Sequence, residues 1–105
     1  MPDLARSFAA LGDPVRFAIV ERLLTQGARS AGELQDLAEI SPPAMSRHLR
    51  VLREAGLVER RVDGPRRIYS ANGPALAEIG AWTISHQAFW AASLDRLETL
   101  LGKET

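Results

Sequence analysis

The chain has 105 residues, 46 % of them hydrophobic and 25 % charged, with a formal net charge of zero and no cysteine. This fits one small globular domain (residues 1–105) with a modest core, and excludes a disordered chain. The missing cysteines exclude a disulfide scaffold, a thiolate metal site and a cysteine nucleophile, and they suit a reducing cytoplasm.

No apolar stretch is long enough for a transmembrane helix, so no membrane partner is expected. The opening Met1-Pro2-Asp3-Leu4-Ala5-Arg6 carries an early acid and does not read as a secretion signal. Alanine and leucine supply 16 and 14 residues, which predicts a mainly α fold.

The first helix is expected over Asp3 to Leu11, with Leu4, Phe8 and Leu11 on one face and Gly12 as its end. Asp13-Pro14 then starts a second helix, as N-cap acceptor and first-turn proline. In it Ile19, Val20, Leu23 and Leu24 recur at helical spacing and are expected to face the core, and Gly27 closes it. Ser30-Ala31-Gly32-Glu33 reads as a capping box before a short helix carrying Leu34, Leu37 and Ala38. Ser41-Pro42-Pro43 caps the next one, whose stripe is Met45, Leu49 and Leu52 and whose end is Gly56. Two capped helices this close cannot run on as one, so residues 30–56 read as a helix-turn-helix.

Leu57 to Val62 and Pro65 to Ser70 are β-capable runs around Asp63-Gly64, a strong signal for a two-residue hairpin, and residues 57–71 therefore form a small β-hairpin, or wing. Asn72-Gly73-Pro74 opens a last helix, expected to run unbroken to about Leu101. Its apolar stripe is Leu76, Ile79, Thr83, His86, Trp90, Leu94, Leu97 and Leu101, widened by Trp82, Phe89 and Leu100. That helix is longer than one small core can cover, so much of the stripe is expected to meet a second subunit.

The zero net charge hides a basic third. Residues 41–70 hold seven arginines (Arg47, Arg50, Arg53, Arg60, Arg61, Arg66 and Arg67) against the acids Glu54, Glu59 and Asp63. Arginine forks onto phosphates and carboxylates, and composition alone does not choose between them. The helix after Ser41 shows Pro43, Ala44, Ser46, Arg47, Arg50 and Glu54 on its exposed side, with His48 at the edge. Arg47 and Arg50 lie one turn apart, so both can enter a major groove about 12 Å wide and fork onto guanine, while Ser46 can bond a base or phosphate. The amino end of that helix, capped by Ser41, is expected to leave free N–H groups for a phosphate, fewer than usual because of the prolines. In the hairpin, an Asp63-Gly64 turn sets Arg60 opposite Arg67 and Arg61 opposite Arg66. Like charges directly across a strand pair are destabilising, and a polyanion such as DNA relieves them.

Phe8-Ala9-Ala10-Leu11-Gly12-Asp13-Pro14-Val15-Arg16, Ser41-Pro42-Pro43-Ala44-Met45-Ser46-Arg47-His48-Leu49 and Leu52-Arg53-Glu54-Ala55-Gly56-Leu57-Val58, followed by the arginine-flanked wing, together resemble the ArsR/SmtB-type winged helix-turn-helix regulators. The match spans roughly residues 4–101. The resemblance implies a homodimer in which residues 1–12 and 74–101 are dimerisation helices, with Leu4, Phe8, Leu11, Ile79, Trp82, Phe89, Trp90, Leu94, Leu97 and Leu101 at the interface. It implies one recognition helix per DNA half-site, with DNA contacts from Ser41, Pro43, Ser46, Arg47, His48, Arg50, Arg60, Arg61, Arg66 and Arg67. His48 either touches a phosphate or packs behind the helix. Pro42 departs from the family, which often has glutamine there, and leaves more of the base reading to Arg47, Ser46 and Arg50.

Metal-sensing members carry Cys-Val-Cys where this chain reads Ser30-Ala31-Gly32, and His48 and His86 fall on different elements. The resemblance is therefore to the branch without cysteine metal sites, and no metal or other cofactor is expected. The aromatics Trp82, Phe89 and Trp90 read first as core and leave room for a small apolar effector pocket; a small-molecule or protein effector stays open.

The leading function is a dimeric, cytoplasmic transcriptional regulator, a repressor that occupies a palindromic operator in double-stranded DNA. The alternative is a winged-helix protein-interaction module without a specific DNA target. An enzyme is not expected: no phosphate loop or nucleophile elbow is present, and Ser85 and His86 are sequence neighbours expected to point different ways.

Overall fold

The structure is a computed structural model that describes residues 3–102. Its elements in chain order are α1 (Leu4–Leu11), α2 (Pro14–Gln26), β1 (Arg29–Ser30), α3 (Ala31–Leu34) with a 3₁₀ turn (Gln35–Leu37), α4 (Pro42–Glu54), β2 (Val58–Asp63), β3 (Arg66–Ala71), α5 (Gly73–Ser85) and α6 (Gln87–Gly102). The strands form one antiparallel sheet in the order β1-β3-β2. The fold is a winged helix-turn-helix: mainly helical, with a small sheet and helices at both ends.

The helix starts are set by side chains that take the orphan N–H groups. Asp3 accepts from Arg6, Asp13 from Val15 and Arg16, Ser41 from Ala44, and Asn72 from Ala75. The Ser30–Glu33 capping box is closed in both directions, at 3.2 and 2.9 Å. The core is built from Ile19, Val20 and Leu23 of α2, Leu34 of α3, Met45, Leu49 and Leu52 of α4, and Leu57, Val58 and Tyr69 of the wing. Leu24 does not join it. It is 56 % exposed, because the covered arc of α2 passes through Ile19, Val20 and Leu23 and Leu24 falls just outside it.

Three expectations need correction. The sheet has a third strand: Arg29 and Ser30 pair with Tyr69 and Ile68, a segment too short to show any alternation in the sequence. The hairpin register also differs. Asp63 pairs with Arg66, Val62 with Arg67, Arg61 with Ile68 and Arg60 with Tyr69, so no arginine stands opposite another. The turn residues are Gly64 and Pro65. A turn at Asp63-Gly64 would need positive φ at Asp63, whereas Gly64 takes it at +62° and the ring of Pro65 suits the second turn position, where no ladder N–H is needed. Third, the last helix is interrupted at His86. Ser85 Oγ and His86 Nδ1 each lie 2.8 Å from the Trp82 carbonyl oxygen, the acceptor that the His86 backbone N–H would use in a continuous helix. That N–H turns to Thr83 instead, at 3.3 Å, and regular helix resumes at Gln87. Ser85 Oγ and His86 Nδ1 are therefore 3.0 Å apart, contrary to the expectation that they diverge. Both serve the same carbonyl and do not form a nucleophile–base pair.

Leu76 and Ile79 of α5 pack against the core, but no residue of α5 or α6 is fully buried, so Trp82, Phe89 and Trp90 are not ordinary core. No helix of the described residues is long and apolar enough to cross a membrane.

Asp13 offers the sharpest test of local stability. The Arg16 backbone N–H, helped by nearby positive charge and the Val15 N–H, holds its carboxyl below the ordinary value of 3.8. Asp13→Ala should cost about 1 kcal/mol in chemical denaturation at neutral pH, whereas Asp13→Asn keeps the cap and costs less. A depressed folded value means the charge stabilises above the ordinary carboxylate range and its contribution fades as pH falls through the folded value. The gap between wild type and Asp13→Asn should accordingly close on acidification.

Candidate nucleic-acid interface

Helix α4 enters the core through Met45, Leu49 and Leu52, each at most 2 % exposed. Ser46, Arg47 and Arg50 therefore face outward. The chain leaves α4 through Gly56, in the left-handed region at φ +79°, and returns at once into β2. This junction is tied by Leu57 N donating to the Leu52 carbonyl at 3.0 Å and Asn72 Nδ2 donating to the Gly56 carbonyl at 2.8 Å. The wing thus stands beside the outer face of α4.

Between them lies an open cleft of about 560 Å³, lined by Pro43, Ser46, Arg47, Arg50 and Arg53 of α4 and by Arg60, Arg67 and Tyr69 of the wing. Five guanidinium groups converge there from two elements, and no acid is among the lining residues. Glu54 and Glu59 line a neighbouring recess with Arg53 and Arg60. Arg53 and Tyr69 were missed as site residues by sequence reasoning. Arg53 continues the one-turn spacing of Arg47 and Arg50 and was visible in that respect; Tyr69, two residues after Arg67 on one strand, shares its face and was visible in the same way.

The other expected residues are placed differently. Strand alternation turns Arg61 and Arg66 to the face opposite Arg60 and Arg67. Arg61 lies 4.0 Å from Asp63, and Arg66 3.4 Å from Glu33, both exposed pairs of little energetic weight. Ser41 is exposed at the head of α4, but the helix end offers no free N–H group, contrary to expectation. Pro42 and Pro43 have none, Ala44 N donates to Ser41 Oγ at 3.2 Å, and Met45 N donates to the Ser41 carbonyl at 3.0 Å. His48 is half-buried behind α4, its Nδ1 3.2 Å from Arg16 and 3.8 Å from Asp13. Among the described residues no three His, Asp or Glu side chains gather into a metal-binding group.

A concave surface of arginines with serine and tyrosine between them suits a polyanion: the guanidinium groups can fork onto phosphate oxygens or guanine edges. The comparisons with known proteins decide among the carriers of such surfaces. Residues 11–61 match the family model described as a helix-turn-helix domain. The chain is 39 % identical over 99 residues to the HTH-type transcriptional regulator Rv2034 of Mycobacterium tuberculosis, covering 94 % of this chain and 89 % of that protein. It is 37 % identical over 91 residues to the probable mercury resistance operon repressor of Streptomyces lividans, covering 87 % of this chain and 72 % of the relative. A crystal structure of the ArsR family transcriptional regulator RHA00566 superposes with a TM-score of 0.76 at 26 % identity, over 84 % of this chain and 96 % of that one.

The chain belongs to the ArsR/SmtB family. Like its ArsR relatives it is a DNA-binding transcriptional regulator and not an enzyme.

For this ArsR-family chain, the split of the wing arginines gives a direct test. Arg60→Ala and Arg67→Ala should each weaken binding to all duplexes alike and lower the salt slope by about 1, the loss of one phosphate contact. Arg61→Ala and Arg66→Ala should change the slope less. Titrations of labelled duplex over a series of salt concentrations measure this.

Proposed function

We propose that the protein is a homodimeric repressor in the cytoplasm that occupies a palindromic operator, with α4 of each protomer in the major groove and the wing on the flanking backbone. The observation that carries this reading is the cleft in which Arg47, Arg50 and Arg53 of α4 meet Arg60 and Arg67 of the wing without an opposing acid. Arg47 and Arg50 read base edges, Ser46 bonds a base or phosphate, Pro43 and Ser41 pack at the edge of the groove, and Arg53, Arg60 and Arg67 hold phosphates. Arg61 and Arg66, on the other face of the wing beside Asp63 and Glu33, add long-range attraction to the backbone without a direct phosphate contact. Repression follows from occupancy of a promoter; the Streptomyces lividans relative is itself a probable operon repressor.

Dimer formation is supported by the exposed apolar surface. Phe8 on α1 and Trp82, Phe89, Trp90, Leu94, Leu97, Leu100 and Leu101 on α5 and α6 are all at least 38 % exposed. The radius of gyration is 17.7 Å, against about 13 Å for a compact chain of this size. Such a contiguous apolar face on a small domain marks an association surface. Leu4, Leu11 and Ile79, all half-buried, flank it.

The decisive experiment selects duplexes from a random pool with the wild-type protein and then measures affinity by fluorescence anisotropy. A palindromic motif with half-sites one helical turn apart, bound several hundred-fold or more above a scrambled duplex, is the expected outcome. Arg47→Ala should cost about 1–3 kcal/mol on the selected duplex and relax preference at one base pair. Recovery of no motif would overturn the operator reading in favour of a protein-interaction module. Independently, Leu97→Asp should shift the protein from dimer to monomer in sedimentation, since an unpaired buried carboxylate opposes the interface.

A further inference from the structure

Arg16 and His48 are two polar groups that the DNA-binding reading leaves unused. Arg16 begins on α2, one turn into the helix that Asp13 caps. Its Nε donates to the Ala10 carbonyl at 2.7 Å, at the end of α1. Its NH1 lies 3.2 Å from His48 Nδ1, on the back of α4. An arginine nitrogen can only donate, so a hydrogen bond here requires Nδ1 as the acceptor and the tautomer that carries its proton on Nε2. The Asp13 carboxylate, 3.8 Å from the same Nδ1, is too far to compete, and its Oδ2 already accepts from the Val15 and Arg16 backbone. One rigid guanidinium thus spans three helices, with the Asp13 carboxylate beside it to balance its charge.

We propose that Arg16 and His48 form a positioning relay that fixes the rotation and axial placement of α4 relative to α1, and so set DNA affinity without touching DNA. The apolar stripe of α4 holds the helix against the core but is tolerant of small slides, because hydrophobic contact is non-directional. A planar fork with two bonds to two different helices is not. His48 directly follows Arg47, about 100° further round α4, so the seat of its ring bears on where the Arg47 side chain leaves the helix. Ala10 lies two residues beyond Phe8 on the proposed dimer helix, so the relay also sets the distance between the two reading helices of a dimer.

This proposal rests on the DNA-binding reading above, and its test separates the two. Wild type, His48→Leu, His48→Asn, Arg16→Lys and the Arg16→Lys/His48→Leu double variant are titrated on the selected duplex and on a scrambled one, below each variant's thermal midpoint. Asparagine keeps an acceptor at the δ position; leucine does not. His48→Leu and Arg16→Lys should each bind the selected duplex about tenfold more weakly, as for loss of one charge-assisted bond. The double variant should be no weaker than either single one, the salt slope should stay at the wild-type value, and His48→Asn should bind close to wild type.

Losses that multiply in the double variant, or a salt slope reduced by His48→Leu, would make His48 a direct DNA contact and overturn the relay. So would His48→Asn binding as weakly as His48→Leu, or both single variants binding like wild type. Nitrogen NMR of the His48 ring in the free wild-type protein is independent of any variant's folding. A proton on Nδ1 overturns the relay, and a proton on Nε2 supports it. A wild-type protein that discriminates no duplex would overturn the DNA-binding reading together with the relay's role in it, whereas normal discrimination with unaffected variants overturns the relay alone.

Discussion

The direction in which α4 presents its arginines is fixed by the burial of Met45, Leu49 and Leu52. With each residue turned by 100° around the helix, an apolar stripe at these three positions leaves Ser46, Arg47 and Arg50 on the far side. Burying one such side chain contributes about 1.5–3 kcal/mol, so turning α4 by a single residue would expose most of the stripe and place guanidinium groups in the core. Leu57 lies in the same core and donates its backbone N–H to α4 itself, at the Leu52 carbonyl. The wing is therefore hung from the end of the helix that it flanks, and the cleft between them is a consequence of how the core closes.

What each wing arginine faces across the hairpin is decided by a turn of two residues. With Gly64 at positive φ and Pro65 after it, Arg60 faces Tyr69 and Arg67 faces Val62, and all four lie on one face of the hairpin. Arg61 and Arg66 occupy the other face, near Asp63 and Glu33. The register thus removes the cross-strand repulsion that an Asp63-Gly64 turn would have imposed. The case for a polyanion does not need that repulsion. It rests on guanidinium groups gathered from α4 and the wing into one concavity, which neither element could assemble alone.

Much of this was legible in the residues. Caps such as Asp13, Ser30 with Glu33, and Ser41 are local chemistry, decided within four residues of chain, and they delimit the helices as expected. The stripe of α4 is periodic enough to set its phase, and with it the outward positions of Arg47 and Arg50. The features that escaped depend on competition between neighbours or on distant partners. Asp63-Gly64 and Gly64-Pro65 are both plausible turns, and only the backbone angle of Asp63 separates them. The break at His86 arises because two side chains claim one carbonyl, which leaves no trace in the apolar pattern. β1 exists only because β3 is there to pair with it. His48 was placed at the edge of the exposed face, and its partner Arg16 is 32 positions away in the chain.

The same contacts join the apolar and basic halves of the molecule. Phe8 on α1 packs edge-on against Trp82 of α5 at 5.6 Å, and Trp82 lies 4.7 Å from the ring of His86 at the helix break. From α1, the Ala10 carbonyl leads through Arg16 to His48 on α4. Phe8 and Ala10 lie two residues apart on α1 and the other links are direct contacts between packed or hydrogen-bonded groups, so the exposed apolar surface and α4 are joined without crossing the centre of the core. Transmission also needs an element with two arrangements, because a chain of rigid contacts only carries a displacement that something else supplies. His86 is where the backbone leaves helical geometry between α5 and α6, with φ −105° and ψ 4°. The irregular joint and the polar relay therefore stand at opposite ends of one route, with the exposed apolar surface at the first and the reading helix at the second.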